Sequence, residues 1–101
     1  MNDIIDLSNK SSKELAMSEP IIYKVDEDEY YSGRMIDSLR FFWYSREDLR
    51  FYDAKCNWTW NKDTEKYYQI LAEDQWQAED LARKTYANEF HISESFVDVK
   101  L

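Results

Sequence analysis

The chain has 101 residues, 44% of them hydrophobic and 17% aromatic, and its 13 basic and 21 acidic residues set a net charge of −8. That length holds one domain, and the aromatic content rules out a disordered acidic tail, because each buried ring removes ~150–250 Å² from water. So negative a surface repels nucleic acid and anionic membrane faces, and steers the chain toward basic partners.

Cys56 is the only cysteine, which leaves no internal disulfide. Asp3 and Asp6 precede the first basic residue, Lys10, and no long apolar run follows. That is unlike a secretory leader, so the expected location is cytoplasmic. The glycosylation-type triplets Asn9-Lys10-Ser11 and Asn57-Trp58-Thr59 are then chance matches.

The charge is uneven. Residues 1–29 carry eight acids and three bases (−5), residues 30–60 four and five (+1), and residues 61–101 nine and five (−4). Two acidic ends therefore flank a nearly neutral aromatic middle.

Residues 1–20 read as a polar, partly ordered lead-in to a single domain over residues 21–101, with Ile4, Ile5 and Leu7 as one anchoring turn. Pro20 forbids helix continuation, and the β-formers Ile21–Val25 predict a short strand. It stops at Asp26-Glu27-Asp28-Glu29, four acids that a sheet interior rejects. Residues 35–44 fit two templates: Met35, Leu39 and Phe42 have helical spacing, whereas Phe41-Phe42-Trp43-Tyr44 is dense in strand formers. A strand over about 39–44 is the expectation.

Tyr52, Ala54, Cys56, Trp58 and Trp60 alternate with polar residues, the mark of a half-buried strand. Asn61-Lys62-Asp63-Thr64 then predicts a polar turn, and Lys66–Ala72 the returning strand of a hairpin. Asp74 with Gln77 forms a capping-box pattern. Ala78, Leu81, Ala82, Thr85, Tyr86 and Phe90 recur as a core-facing stripe. Phe96–Leu101 closes the chain as a strand, with Val97, Val99 and Leu101 on one face. The expected fold is α+β: an antiparallel sheet of about four or five strands, one main C-terminal helix on one face, and the order β-β-β-α-β from residue 39.

Catalytic chemistry is thin. His91 is the sole histidine and reads as a helix-end residue; Cys56, on the apolar phase of its strand, reads as a small core residue. One His and one Cys cannot build a zinc site, and the 26–29 run lacks the spacing of a calcium loop. A single glycine, Gly33, cannot make a phosphate loop. No metal, no cofactor and no enzymatic activity are expected.

A binding surface is the reading left. Asp26, Glu27, Asp28 and Glu29 run directly into Tyr30 and Tyr31, and tyrosine beside carboxylates suits an interface with Arg or Lys. Glu73, Asp74, Glu79 and Asp80 gather around the start of the long helix as a second acidic set, with Glu73, Glu79 and Asp80 as its expected contacts. The plainer alternative is a solvated charge run and an ordinary capped helix. Arg34, Arg40, Arg46 and Arg50 lie among aromatics, a pattern seen in single-strand nucleic-acid platforms, but the net charge opposes it. A homodimer is compatible with the composition.

The unit formed by Tyr67–Ala72, Asp74–Phe90 with Ala78 and Ala82, and Phe96–Leu101 resembles, in type, small acidic phage-encoded inhibitors of the anti-CRISPR and anti-restriction kind. It spans about a third of the chain and occurs in unrelated α/β domains as well. The resemblance implies a stoichiometric inhibitor, in the host cell cytosol, that occupies the basic nucleic-acid channel of a defence nuclease. The alternatives are an immunity or antitoxin protein that neutralises a basic toxin, and an acidic structural adaptor.

Overall fold

The computed structural model describes residues 20–101; the lead-in expected over 1–20 lies, except for Pro20, outside the described residues. After Pro20 the chain enters β1 (Ile21–Val25) and then two short helices, α1 (Glu27–Ser32) and α2 (Asp37–Trp43). A long hairpin follows, β2 (Arg50–Trp58) and β3 (Asn61–Ala72), and leads into α3 (Gln75–Phe90). A single 3-10 turn over Glu94–Phe96 delivers β4 (Val97–Lys100). The four strands form one antiparallel sheet in the order β1-β3-β2-β4. The fold is α+β, with the long C-terminal helix on one face of the sheet.

Alternation along β3 assigns the two faces. Tyr68, Ile70 and Ala72 join Ala54, Cys56 and Val97 beneath Ala78, Ala82, Tyr86 and Ala87 of α3. Leu71, on the opposite phase, joins Leu39 and Leu49, with Ile21, Tyr23, Met35, Ile36 and Phe51 packed around them. Both faces of the sheet are therefore covered, α3 on one side and the α1–α2 segment on the other. A second covering layer goes beyond the one-sided packing expected from sequence.

Two sequence expectations need correction. Residues 37–43 are helix α2 and not a strand, so the order from residue 39 begins with a helix. Of the residues Leu39–Tyr44 only Leu39 is buried. A strand there would send alternate side chains into a core, whereas a short helix of seven residues satisfies one anchor and leaves the aromatics outside. Local β-propensity lost to the shortage of core. The hairpin also reverses earlier than expected, at Thr59-Trp60 and not at 61–64. The pairing moves from Cys56↔Lys66 to Trp58↔Asn61, so β3 absorbs the extra residues as a bulge. Thr59 fixes the tip: its N–H donates to Phe96 O at 2.8 Å, and its hydroxyl donates toward Phe96 O and Asp98 Oδ1.

Candidate partner-binding surface

The acidic run at 26–29 is the start of α1. Asp26 is its N-cap: its carboxylate accepts from Glu29 N–H at 2.8 Å, and the Glu29 carboxylate accepts from Asp26 N–H at 3.0 Å. This reciprocal pair satisfies donors that a helix start leaves open. Gly33 closes the helix in the left-handed region at φ 66° and donates its N–H to Tyr30 O. A side chain there would meet no neighbouring atom, so glycine is favoured by the backbone angle alone.

The cap divides the four acids by role. Asp26 and Glu29 hold α1 together, while Glu27 and Asp28 are exposed, and among the described residues no hydrogen bond or ion pair engages their carboxylates. Tyr30 and Tyr31 follow on the same helix. The Tyr30 ring lies 4.9 Å from Tyr67 on β3 and 4.9 Å, edge-on, from Tyr31. Tyr31 is 62% exposed. Beneath them, Lys55 of β2 pairs with Glu65 of β3 at 3.6 Å. Burial, followed by the charges of Glu65 and Glu27, pushes the Tyr67 hydroxyl up to about 12.

Gln69 is the joint that holds this layer on the sheet. It is fully buried; its carbonyl accepts from Ile36 N–H at 2.8 Å, and its amide donates to Arg34 O at 2.8 Å and toward Glu29 O. One side chain therefore satisfies backbone groups at the end of α1 and the entry to α2. Next to it in the cross-strand pair, Asp53 has a buried Oδ1 without a partner among the described residues. Burial raises the Asp53 carboxyl above its ordinary range, against a hydrogen bond from Gln69 that lowers it.

The second acidic set has a different character. Asp74 caps α3 by accepting from Gln77 N–H at 2.8 Å, and the Gln77 carbonyl accepts from Glu73 N–H at 2.7 Å, so the reciprocal bond reaches one residue before the cap. Glu79 pairs with Arg83 at 3.0 Å and Asp80 with Lys84 at 2.9 Å, both across one helical turn. Of this set only Glu73 is both exposed and, among the described residues, without an ion pair. The two sets also sit on opposite faces of the sheet, one at the start of α1 over the phase of Gln69, the other on α3 above Ile70. They do not form one continuous surface.

Sequence reasoning passed over a further feature: α2 exposes its aromatics. Phe41 is 76% and Tyr44 72% exposed, with Phe42 and Trp43 close to two-fifths. Trp43 and Tyr44, with Arg46, Glu47 and Leu49, line a surface groove of about 360 Å³. The signal was present in the Phe-Phe-Trp-Tyr run, but reading it as a strand assigned half of those rings to a core.

Cys56 and His91 do not meet. Cys56 is sealed beneath α3, where burial pushes its thiol up to about 12. His91 is the exposed C-cap of α3, left-handed at φ 55°, and donates its backbone N–H to Ala87 O. Among the described residues no group of three or more His, Cys, Asp or Glu side chains could hold a metal ion, and no helix is long and apolar enough to cross a membrane. Comparison with protein families, curated proteins and solved structures found no match.

Proposed function

We propose that this chain acts by stoichiometric binding to a basic protein, as an inhibitor that covers the partner's nucleic-acid-binding channel. One observation carries the reading: Glu27 and Asp28 are exposed and, among the described residues, unpaired, on the same short helix as the exposed ring of Tyr31. Carboxylates in that setting can stand where phosphates would lie in a cationic channel, and a net charge of −8 steers the encounter over long range. Tyr31 adds rigid contact area at low entropic cost. The α1 set is the stronger candidate of the two, because Glu79 and Asp80 are already neutralised within α3. An anti-defence protein of phage origin, acting in the host cytosol, has this design. An immunity protein facing a basic toxin would share it.

The test is affinity capture from host lysate at low and high salt, followed by competition with nucleic acid. The expected partner is a basic nucleic-acid-binding protein, released as salt rises and displaced by its own nucleic acid. Glu27→Lys with Asp28→Lys leaves the Asp26–Glu29 cap intact and is expected to slow association and reduce its salt dependence. Unchanged association in that double variant would remove α1 from the contact surface.

A further inference from the structure

We propose that Asp53 is a proton-operated latch beneath α1. Neutral, its carboxyl leaves the Gln69 amide to α1 and the loop that follows; ionised, it draws that amide away and loosens α1 from the sheet. The geometry is a shortage of donors. The side-chain amide of Gln69 has two N–H groups and three claimants. Arg34 O accepts at 2.8 Å and Glu29 O at 3.4 Å, and the Asp53 carboxylate, directly across the strand pair, draws on the same group. Asp53 Oδ1 is buried and has no partner among the described residues. An ionised acceptor makes the stronger hydrogen bond, so the bond given up is the longest one, to Glu29 O. That carbonyl is the point at which Gln69 grips α1 itself.

Among the described residues no cation relieves the carboxylate. Lys55 shares its strand and face, but it is paired with Glu65 of β3 at 3.6 Å and bonded to the Tyr31 hydroxyl of α1. The charge of Asp53 reaches the Tyr30 hydroxyl of α1, and strand register adds the phenols of Tyr67 on β3 and Tyr23 on β1. The Glu29 carboxylate is held in the Asp26 cap, and Glu27 adds only negative charge near Tyr67. Arg34 after α1 and Lys100 of β4, opposite Lys55, are both exposed. Burial therefore holds the Asp53 carboxyl above its ordinary range, and only the bond from Gln69 opposes it. The sign follows. As pH rises through that raised range the chain must ionise a carboxyl in a dry site, and lifting α1 is what lets water reach it. Helix α3 lies on the other face of the sheet and takes no part. The latch belongs to the chain alone and stands whatever α1 binds.

Nuclear magnetic resonance of the full chain, with no partner present, tests this directly. The side-chain carboxyl carbon of Asp53 reports its protonation. Hydrogen-exchange protection factors report Gly33, whose N–H donates to Tyr30 O, and Ile36, whose N–H donates to Gln69, with Ala82 of α3 as the reference. As pH rises through the Asp53 midpoint, protection at Gly33 and Ile36 should fall roughly three- to tenfold, the scale set by the spread of about one pH unit among folded aspartates, while Ala82 holds. In Asp53→Asn, whose side chain is neutral at every pH, that step should vanish and leave only the change due to the other carboxyl groups. The coincidence of the Asp53 and Ile36 midpoints is read in the wild-type chain, so the proposal stays open to refutation even if the substitution disturbs folding. Protection at Ile36 that is flat through the Asp53 midpoint overturns it, as does a step of equal size in folded Asp53→Asn. A matching fall at Ala82 would make the effect global and overturn it too.

Discussion

Beneath α3 the sheet meets three alanines and one large ring, Tyr86; on its other side its own buried Gln69 and Leu71 meet Leu39 of α2 and Leu49 of the following segment. The first contact is closed by close approach. Ala78, Ala82 and Ala87 let α3 settle onto Ala54, Cys56 and Ala72, and Tyr86 fills the remaining space. The second is held by directed bonds from Gln69 to a loop, with Arg46 also buried in the segment that joins α2 to β2. Apolar packing is insensitive to the orientation of what lies above it, whereas a hydrogen-bonded joint fixes a particular loop in place. The α3 face supplies stability, and the α1–α2 face presents surface.

Substitutions can break this division in order of expected effect. Tyr86→Ala should cost most, about 3–5 kcal/mol by analogy with other large-to-small core changes, since the ring is fully buried and its hydroxyl donates to Thr64 at 2.7 Å; urea unfolding measures it. Gln69→Leu should cost less, about 1–3 kcal/mol, because it strands the Ile36 N–H and the Arg34 carbonyl in a buried setting. Hydrogen exchange gives the sharper reading: Ile36 should lose protection while α3 keeps it. Equal loss on both faces would show that the two layers are one cooperative unit.

Titration separates the faces by sign. Burial raises the folded-state carboxyl of Asp53, so its ionised form opposes folding at neutral pH, and that opposition fades as pH falls through its raised range. Glu89 of α3 is lowered, first by the hydrogen bond from Lys24 at 2.7 Å. Its contribution is present above the ordinary glutamate range and is lost as pH falls through the lowered one. Asp53→Asn should therefore stabilise at pH 7, by at most ~1 kcal/mol, with the gain shrinking toward acid pH. Lys24→Ala should change stability least, by under ~0.5 kcal/mol, since the pair is exposed, and should soften the acid side of the profile. Both are read from thermal melts at a series of pH values.

Strands β1 and β2 and helix α3 were legible in sequence because their cores are local patterns. Pro20 with β-branched neighbours, strict alternation through Cys56, and the Asp74 cap with its alanine stripe each declare one element. Helix α2 was not, because its pattern is set by what is missing. Leu39 alone finds a core, formed by Leu49 and Leu71, and no window around residue 40 contains those partners. The roles of the acids were only half visible. Asp26 and Glu29 lie three residues apart, which is the capping-box spacing, but between a strand and two tyrosines that spacing passed as a charge run. The intrahelical pairs of Glu79 and Asp80 follow from Arg83 and Lys84 standing one turn later.

The position of Cys56 gives the molecule an internal clock. Its sulfur sits at the floor of the α3 contact with no exposure, and the folded protein holds it as a thiol. Alkylating reagents attack the thiolate, so they should modify the chain only when α3 lifts from the sheet. As the only cysteine, it contributes no background. The rate of mass gain with iodoacetamide then reports how often that one helix leaves its seat, even while the opposite face stays assembled.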